Sequence, residues 1–206
     1  MTSEPPCDWR NNPAKEPGER TRVARLPDTD GTGEIARRIR ERRGGALRPL
    51  DRMLLHSPQL ADGWNSLLGA VRSRMELPAD IRELVILRIA VLNHAAYEWA
   101  AHEPEARRAG LDDAELAELR RPVPELGRRR GRVIAYTDAM TRDIRVPDEV
   151  FDALRGEFTD AELVELTATV AAYNMVSRFL VALDVQEPLP PAGAVPPQEG
   201  DQQPVP

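Results

Sequence analysis

Apolar residues recur at helical spacing through the middle of the chain, and the alternation of apolar and polar residues that marks strands is nearly absent. The pattern predicts an all-α, single-domain helical bundle of seven or eight helices. Ser57 followed by Pro58 is typical of a helix start, and Gly44-Gly45 of a helix end. The predicted helices cover about residues 33–42, 46–56, 58–74, 77–93, 111–121, 132–143, 148–157 and 159–183.

The two ends of the chain lack this pattern. Residues 1–32 mix Pro, Gly, Asp, Arg and Thr without an apolar period, and residues 187–206 are rich in proline. Such compositions cannot bury enough apolar surface to offset the entropy lost on ordering. We therefore expect a disordered N-terminal arm, a helical domain over residues 33–186 and a disordered Pro-rich tail.

Composition narrows the classes of partner and compartment. The 28 Lys and Arg against 34 Asp and Glu give a formal net charge of −6, which argues against a nucleic-acid partner. The single cysteine, Cys7, allows neither a disulfide framework nor a Cys-based zinc site within one chain. No stretch reads as a signal peptide or a membrane span. We expect a cytoplasmic protein that binds neither nucleic acid nor membranes.

The stretch "LNHAAYEWAAH", residues 92–102, carries the candidate chemistry. Glu98 and His102 are four residues apart, so they share one face of a helix and can share a proton. A helix ion pair without function is the alternative. His94 and His102 are about 12 Å apart along a straight helix, and metal bonds are about 2 Å long. We therefore expect no metal site here.

Glu83 is a second candidate because it lies in the apolar segment "RELVILRIAVL". A buried carboxylate needs a partner, and Arg82, Arg88 or Arg178 could supply one. In one unbroken helix Glu83 would lie about 28 Å from His102, too far to cooperate. A helix break at Asn93-His94 would let both face one cavity, and the new helix start would offer free N–H groups to an anion.

These residues resemble a known family. "LPADIRELVILRIAVLNHAAYEWAAHEPEARRAGL" is similar to the core of the carboxymuconolactone decarboxylase and alkylhydroperoxidase D-like superfamily, and "ELVELTATVAAYNMVSRFLVAL" to its closing helix. The resemblance covers about residues 45–186. It implies an all-helical fold that assembles into homo-oligomers, trimers or hexamers. The hydroperoxidase branch carries a glutamate, a Cys-x-x-Cys pair and a histidine, and here Glu83 and His102 match while Ala95 and Glu98 occupy the cysteine positions.

Without those thiols, the resemblance implies the chemistry of the decarboxylase branch. We expect a cofactor-independent lyase or decarboxylase acting on a small carboxylate or polyketide-like molecule. His102 would be the general base or acid, Glu83 would orient it, Glu98 would be its proton partner and Tyr97 would add a phenol. The expected substrate-binding residues are Trp64, Asn174 and Arg178, although core packing for Trp64 and pairing of Arg178 with a buried glutamate stay open.

Two other functions remain open at this point. One is a peroxidase-type enzyme that reduces hydroperoxides with a thiol supplied from elsewhere. The other is a non-catalytic helical protein that binds a small molecule, in which Glu98 and His102 form only a surface pair. Burial separates them, because a catalytic pair must face a closed pocket together with Glu83, whereas a surface pair faces water.

Overall fold

The computed structural model describes residues 21–27 and 33–185, and these residues form nine α-helices and no strand. The predicted all-α fold is confirmed. There is one helix more than expected, because the segment after Asn93 forms a helix of its own. The helices are α1 Glu34–Arg42, α2 Pro49–Leu54, α3 Pro58–Ser73, α4 Ala79–Leu92, α5 Ala96–Arg108, α6 Asp113–Glu118, α7 Arg128–Arg142, α8 Asp148–Arg155 and α9 Asp160–Leu183.

Helix α4 is the centre of the bundle and packs against α5, α7 and α9. It is apolar on every face, and its residues from 83 to 90 are all buried. Two of them, Glu83 and Arg88, are charged. The Arg88 guanidinium donates to both carboxylate oxygens of Asp138 at 2.7 and 2.6 Å, and to the carbonyl of Leu119 at 2.9 Å. Arg88 is thus satisfied within the fold, whereas Glu83 faces the candidate site.

The chain reverses direction between α4 and α5. Asn93 ends α4, His94 adopts the left-handed conformation with φ 56°, and the N–H of Ala95 donates to the carbonyl of Ala90 at 2.8 Å. The Asn93 side chain donates to Asn174 Oδ1 at 3.0 Å and to Ser177 Oγ at 2.7 Å, which ties the turn to α9. The break considered at Asn93-His94 is therefore present, and it brings α5 alongside α4.

Helix α9 closes the bundle. Thr159 caps its start by accepting from the N–H of Glu162, and it runs for 24 residues to Leu183. Its length and apolar composition would suit a membrane span. It packs instead against α3, α4, α5, α7 and α8 with its inner face, as the core helix of a bundle does.

Part of the predicted arm lies against the domain. In residues 21–27, the N–H of Arg22 donates to the Leu183 carbonyl at 3.0 Å, and the Ala24 carbonyl lies 2.7 Å from His56 Nε2. These backbone contacts differ from the expected disorder, and composition gives no sign of them. The rest of the predicted arm, with Cys7, and the Pro-rich tail from residue 186 lie outside the described residues.

Candidate active site

A buried histidine and glutamate meet at the centre of the site. His102 Nδ1 on α5 lies 2.8 Å from Glu83 Oε2 on α4, and both residues are buried. Glu83 Oε1 also accepts a hydrogen bond of 3.1 Å from Arg82 Nε. An ionised carboxylate can only accept, so Nδ1 carries the proton and Nε2 is left with its lone pair. The helix break thus creates the pairing that one straight helix would forbid.

Tyr173 and Arg72 extend this pair into a chain of hydrogen bonds. The Tyr173 hydroxyl lies 3.3 Å from His102 Nε2, and Arg72 Nε donates to the same hydroxyl at 2.9 Å. Because a guanidinium only donates, the Tyr173 oxygen is its acceptor and the phenolic proton points towards Nε2. The two rings meet edge to face with centroids 5.1 Å apart. His102, on α5, is therefore held in place by side chains from α3, α4 and α9.

The surroundings set the protonation states of the pair. Burial alone would raise the pKa of Glu83, but the hydrogen bond from His102 and the charge of Arg82 outweigh it and hold the pKa below the usual range. Burial lowers the pKa of His102, against the opposing effect of Glu83. Burial also raises the pKa of Tyr173 to about 12. Near neutral pH the site thus holds an ionised Glu83 beside a neutral imidazole.

Glu98 is the unusual residue of the site. It lies in the first turn of α5, is 1% exposed, and within the described part of the chain neither of its carboxyl oxygens has a hydrogen-bond partner. The expected proton-sharing pair with His102 does not form, because both ring nitrogens already face Glu83 and Tyr173. Burial raises the pKa of Glu98 well above its usual range, with only Arg72 opposing. Burial therefore favours the neutral acid form of Glu98.

A cavity of about 280 Å³ opens between these groups. Four of the predicted site residues line it, namely Glu83, Tyr97, Glu98 and His102. Apolar contacts come from α2, α5 and α9. Four arginines also reach the cavity, and they come from the loops and helices around its rim: Arg43, Arg48, Arg72 and Arg82. Among residues 21–27 and 33–185, no cluster of His, Cys, Asp or Glu is placed to hold a metal ion.

The three expected substrate-binding residues lie elsewhere. Trp64 packs its ring against Phe179 in the core, with centroids 5.1 Å apart. The buried Asn174 side chain donates to Thr141 Oγ1 at 2.9 Å and accepts from Asn93, so its hydrogen-bonding capacity is used within the fold. Arg178 is exposed and does not pair with Glu83. None of the three lines the cavity.

The structure adds residues that sequence reasoning missed. Arg72 lies in the last turn of α3, one residue before its end, and Tyr173 directly precedes Asn174 on α9. Periodicity places Tyr173 on a buried face of α9, but nothing in the sequence shows that this face meets His102. Arg82 stood among the possible partners of Glu83, and the structure selects it over Arg88 and Arg178.

Comparisons with known proteins place this geometry in a family. The model of the carboxymuconolactone decarboxylase family matches residues 58–123, which run from α3 to beyond α6 and contain the four cavity-lining residues predicted from sequence. A structure from Agrobacterium tumefaciens, of unknown function and named after the antioxidant defence protein AhpD, is 26% identical. The match covers 67% of this chain and 97% of that chain with a TM-score of 0.62. Residues 58–123 thus match the carboxymuconolactone decarboxylase family, and the fold is similar to that of an AhpD-like structure.

More distant structures share the superfamily fold. A peroxidase-related protein from Silicibacter is 17% identical, with 84% of this chain and 95% of that chain covered and a TM-score of 0.71. The debrominase Bmp8, solved with 2,3,4-tribromopyrrole, is 16% identical, with 82% and 92% covered and a TM-score of 0.66. These likenesses show that the fold is shared. A comparison with curated proteins gives no match.

Proposed function

We propose that this protein is a cofactor-independent acid–base enzyme of the lyase or decarboxylase type that acts on a small carboxylate or polyketide-like molecule. The supporting observation is the buried His102–Glu83 pair, 2.8 Å apart, at a cavity that Glu98 also lines. Burial separates this proposal from the non-catalytic alternative, because a surface ion pair would face water.

His102 moves the proton in this proposal. Its Nε2 lone pair takes a proton from a carbon of the substrate: the C–H bond breaks, an N–H bond forms, and the electron pair moves onto the neighbouring carbonyl oxygen. Glu83 holds the ring through Nδ1 and stabilises the imidazolium that forms. The contact of 3.3 Å between Tyr173 and Nε2 is long for an O–H donor, so a substrate can displace it.

The same histidine serves a decarboxylation. When the bond to the carboxylate breaks, CO₂ leaves and its electron pair stays on the carbon. His102 then takes a proton from solvent and passes it to that carbon, which leaves the ring neutral again. The cavity volume of about 280 Å³ admits a small molecule, and its arginines favour an anion. Tyr97, which lines the cavity, can contact the substrate with its phenol.

The test is turnover by variants of the pair. His102→Ala and Glu83→Gln should each lower turnover by about 10²-fold or more, because the general base is lost or misoriented. The assay follows CO₂ release and solvent deuterium incorporation over a panel of β-keto acids and lactone carboxylates. His94→Asn is the matched control, since His94 is exposed and asparagine tolerates its left-handed backbone. Wild-type turnover by both variants would sink the assignment.

The likeness to peroxidase-related structures favours a second candidate, the reduction of hydroperoxides. The positions at which that branch carries thiols hold Ala95, at the start of α5, and the buried Glu98. The single cysteine of the sequence, Cys7, lies outside the described residues. Hydroperoxide turnover that depends on an added dithiol and disappears in Cys7→Ser would support this candidate over ours.

A further inference from the structure

Glu98 lies in an environment that is unfavourable for the stability of a carboxyl group. It is buried, it faces the cavity, and its two carboxyl oxygens have no hydrogen-bond partner among the described residues. A buried polar group without a partner lowers stability, so a folded protein normally supplies one. Because Glu98 lines the cavity, a molecule bound there can supply the missing partner.

Arg72 reaches the same cavity from α3. In the part of the chain that the structure describes, its one hydrogen bond runs from Nε to the Tyr173 hydroxyl at 2.9 Å. That bond fixes the plane of the guanidinium and leaves the terminal nitrogens as donors. Of the other cavity arginines, Arg43 pairs with Asp51 and Arg82 with Glu83, so their charges are largely balanced. Within residues 21–27 and 33–185, Arg72 has no ion pair of this kind with a carboxylate.

We propose that Glu98 and Arg72 form a subsite for a ligand carboxylate, in which the neutral Glu98 acid donates its O–H to one carboxylate oxygen and Arg72 donates to the group from the other side. Bonds in which the donor or acceptor is charged are the strongest ordinary hydrogen bonds, and a planar guanidinium suits a carboxylate. The subsite deepens the proposed function, because it rests on the same cavity and specifies how the substrate is held.

The charges around Glu98 favour an anion over a cation. An ionised Glu98 would repel a ligand carboxylate and could not donate a hydrogen bond to it. The neutral acid carries no charge and can donate its O–H to the carboxylate. The arginines outnumber the remaining carboxylates at the cavity. The charged and titratable groups that face it are Arg43, Arg48, Arg72, Arg82, Glu83, Tyr97, His102 and Glu105, with Tyr173 behind His102.

Binding should therefore depend on the protonation of Glu98. As pH rises through the elevated pKa of Glu98, the donor is lost and a negative charge appears, so affinity for a carboxylate falls. The probe must stay ionised throughout, which acetate and benzoate do from about pH 6 upwards because carboxylic acids have pKa values near 4. The pH dependence then reports on the protein alone.

Three substitutions separate the parts of the proposal. Glu98→Gln keeps a donor that cannot ionise, so it should keep most of the affinity and lose the pH dependence. Glu98→Ala removes the donor, and Arg72→Gln removes the positive charge; each should weaken binding by about tenfold or more, as expected for hydrogen bonds to a charged group. Glu105→Gln is the matched control, because Glu105 also lines the cavity but pairs with Arg108 at 2.8 Å.

The experiment is a titration of the full-length protein with acetate and with benzoate, followed by NMR, between about pH 6 and pH 9. Infrared spectroscopy of wild type minus Glu98→Gln tests directly for the protonated carboxyl group at neutral pH. Circular dichroism confirms that each variant is folded. The expected results are a protonated Glu98 and affinities that follow the pattern above.

Two results would overturn the subsite. One is an ionised Glu98 at neutral pH, and the other is equal affinity and equal pH dependence in wild type, Glu98→Ala and Glu98→Gln, including equal failure to bind. Carboxylate binding without turnover on the substrate panel would contradict the acid–base function and leave the subsite standing. Turnover that survives Glu98→Ala unchanged would contradict the subsite and leave the function of His102 standing.

Discussion

Glu98 is the residue at which stability and function conflict. Its carboxyl group is buried without a hydrogen-bond partner among the described residues, which costs about 1–3 kcal/mol for an unsatisfied polar group. A neutral Glu98 limits this loss of stability, because burying an isolated charge would cost far more free energy. A larger apolar side chain would avoid the cost altogether. The presence of an acid here is therefore best explained by a partner that enters the cavity.

The first prediction concerns the stability of Glu98→Gln. The pKa of Glu98 is raised in the folded state, so the folded protein keeps a proton that the unfolded chain releases above about pH 4.5. Wild-type stability should therefore fall relative to Glu98→Gln as pH rises from about 4.5 to the folded pKa, by about 1.4 kcal/mol per unit of pKa difference. Urea unfolding between about pH 5 and pH 8 measures it.

The control for this prediction is Glu105→Gln, which alters a partly buried glutamate that has an arginine partner. Its stability should follow that of wild type across the same pH range. If the wild-type and Glu98→Gln curves run parallel instead, Glu98 is not protonated in the folded protein.

The second prediction concerns the pH dependence of catalysis. Turnover requires neutral His102, so kcat/KM should fall as pH drops through its pKa, which burial holds below about 6.5. Glu83 raises that pKa, so Glu83→Gln should move the acid limb to lower pH while also lowering the maximum rate. Wild-type and Glu83→Gln pH–rate profiles measure both effects. An acid limb at the same pH in both would show that Glu83 does not act on His102.

Among the secondary-structure elements, the turn between α4 and α5 is the one on which the candidate site depends. It reverses the chain so that Glu83 and His102 meet across two helices. Its geometry depends on the left-handed His94 and on the Asn93 side chain, which bonds to Asn174 and Ser177 on α9. The second cysteine position of related enzymes, here Glu98, sits just inside the new helix.

The third prediction tests this turn. Asn93→Ala removes both hydrogen bonds to α9 and leaves the buried Asn174 Oδ1 without its donor, so it should lower the free energy of unfolding by about 1–3 kcal/mol. Turnover should fall with it, because α5 carries His102. His94→Gly is the comparison: glycine accepts φ 56° without strain, so stability should change by less than about 1 kcal/mol. Equal stability of wild type and Asn93→Ala would refute the anchoring role.

The elements also show what sequence could and could not predict. Helix starts such as Ser57-Pro58 depend on local chemistry and were predicted to the residue. Glu83 was a candidate because of its apolar segment and His102 because of its helical spacing to Glu98, and the family resemblance supported both. The break considered at Asn93 was the way in which they could meet. Arg72 and Tyr173 could not be predicted, because periodicity gives the buried face of a helix but not the helix that it contacts. The same limit explains why Trp64 and Asn174 were assigned to the substrate rather than to the core.

At the scale of the whole molecule, the resemblance implies a homo-oligomer, a trimer or hexamer. The outer face of α9 exposes large apolar side chains, with Val164 at 69% and Met175 at 39% exposure. These two residues are eleven positions apart and so lie within about 20° of each other around the helix. Exposed apolar surface on one helix face is typical of a contact between subunits.

The fourth prediction follows from that face. Wild type should sediment as a trimer or hexamer, and Val164→Glu combined with Met175→Glu should shift it towards smaller species, because charges would be buried at the contact. Analytical ultracentrifugation measures the mass. Val123→Glu, at an exposed loop position, is the control and should leave the mass unchanged. A monomeric wild type would contradict the expectation for the whole molecule.

We propose that this protein performs acid–base chemistry without a thiol. The most direct test measures CO₂ release and deuterium incorporation on the carboxylate panel for wild type, Cys7→Ser and His102→Ala, with a chelator present and no reductant. We expect equal activity in wild type and Cys7→Ser and a loss of about 10²-fold or more in His102→Ala. Activity that requires Cys7 or an added thiol, or that survives in His102→Ala, would contradict it.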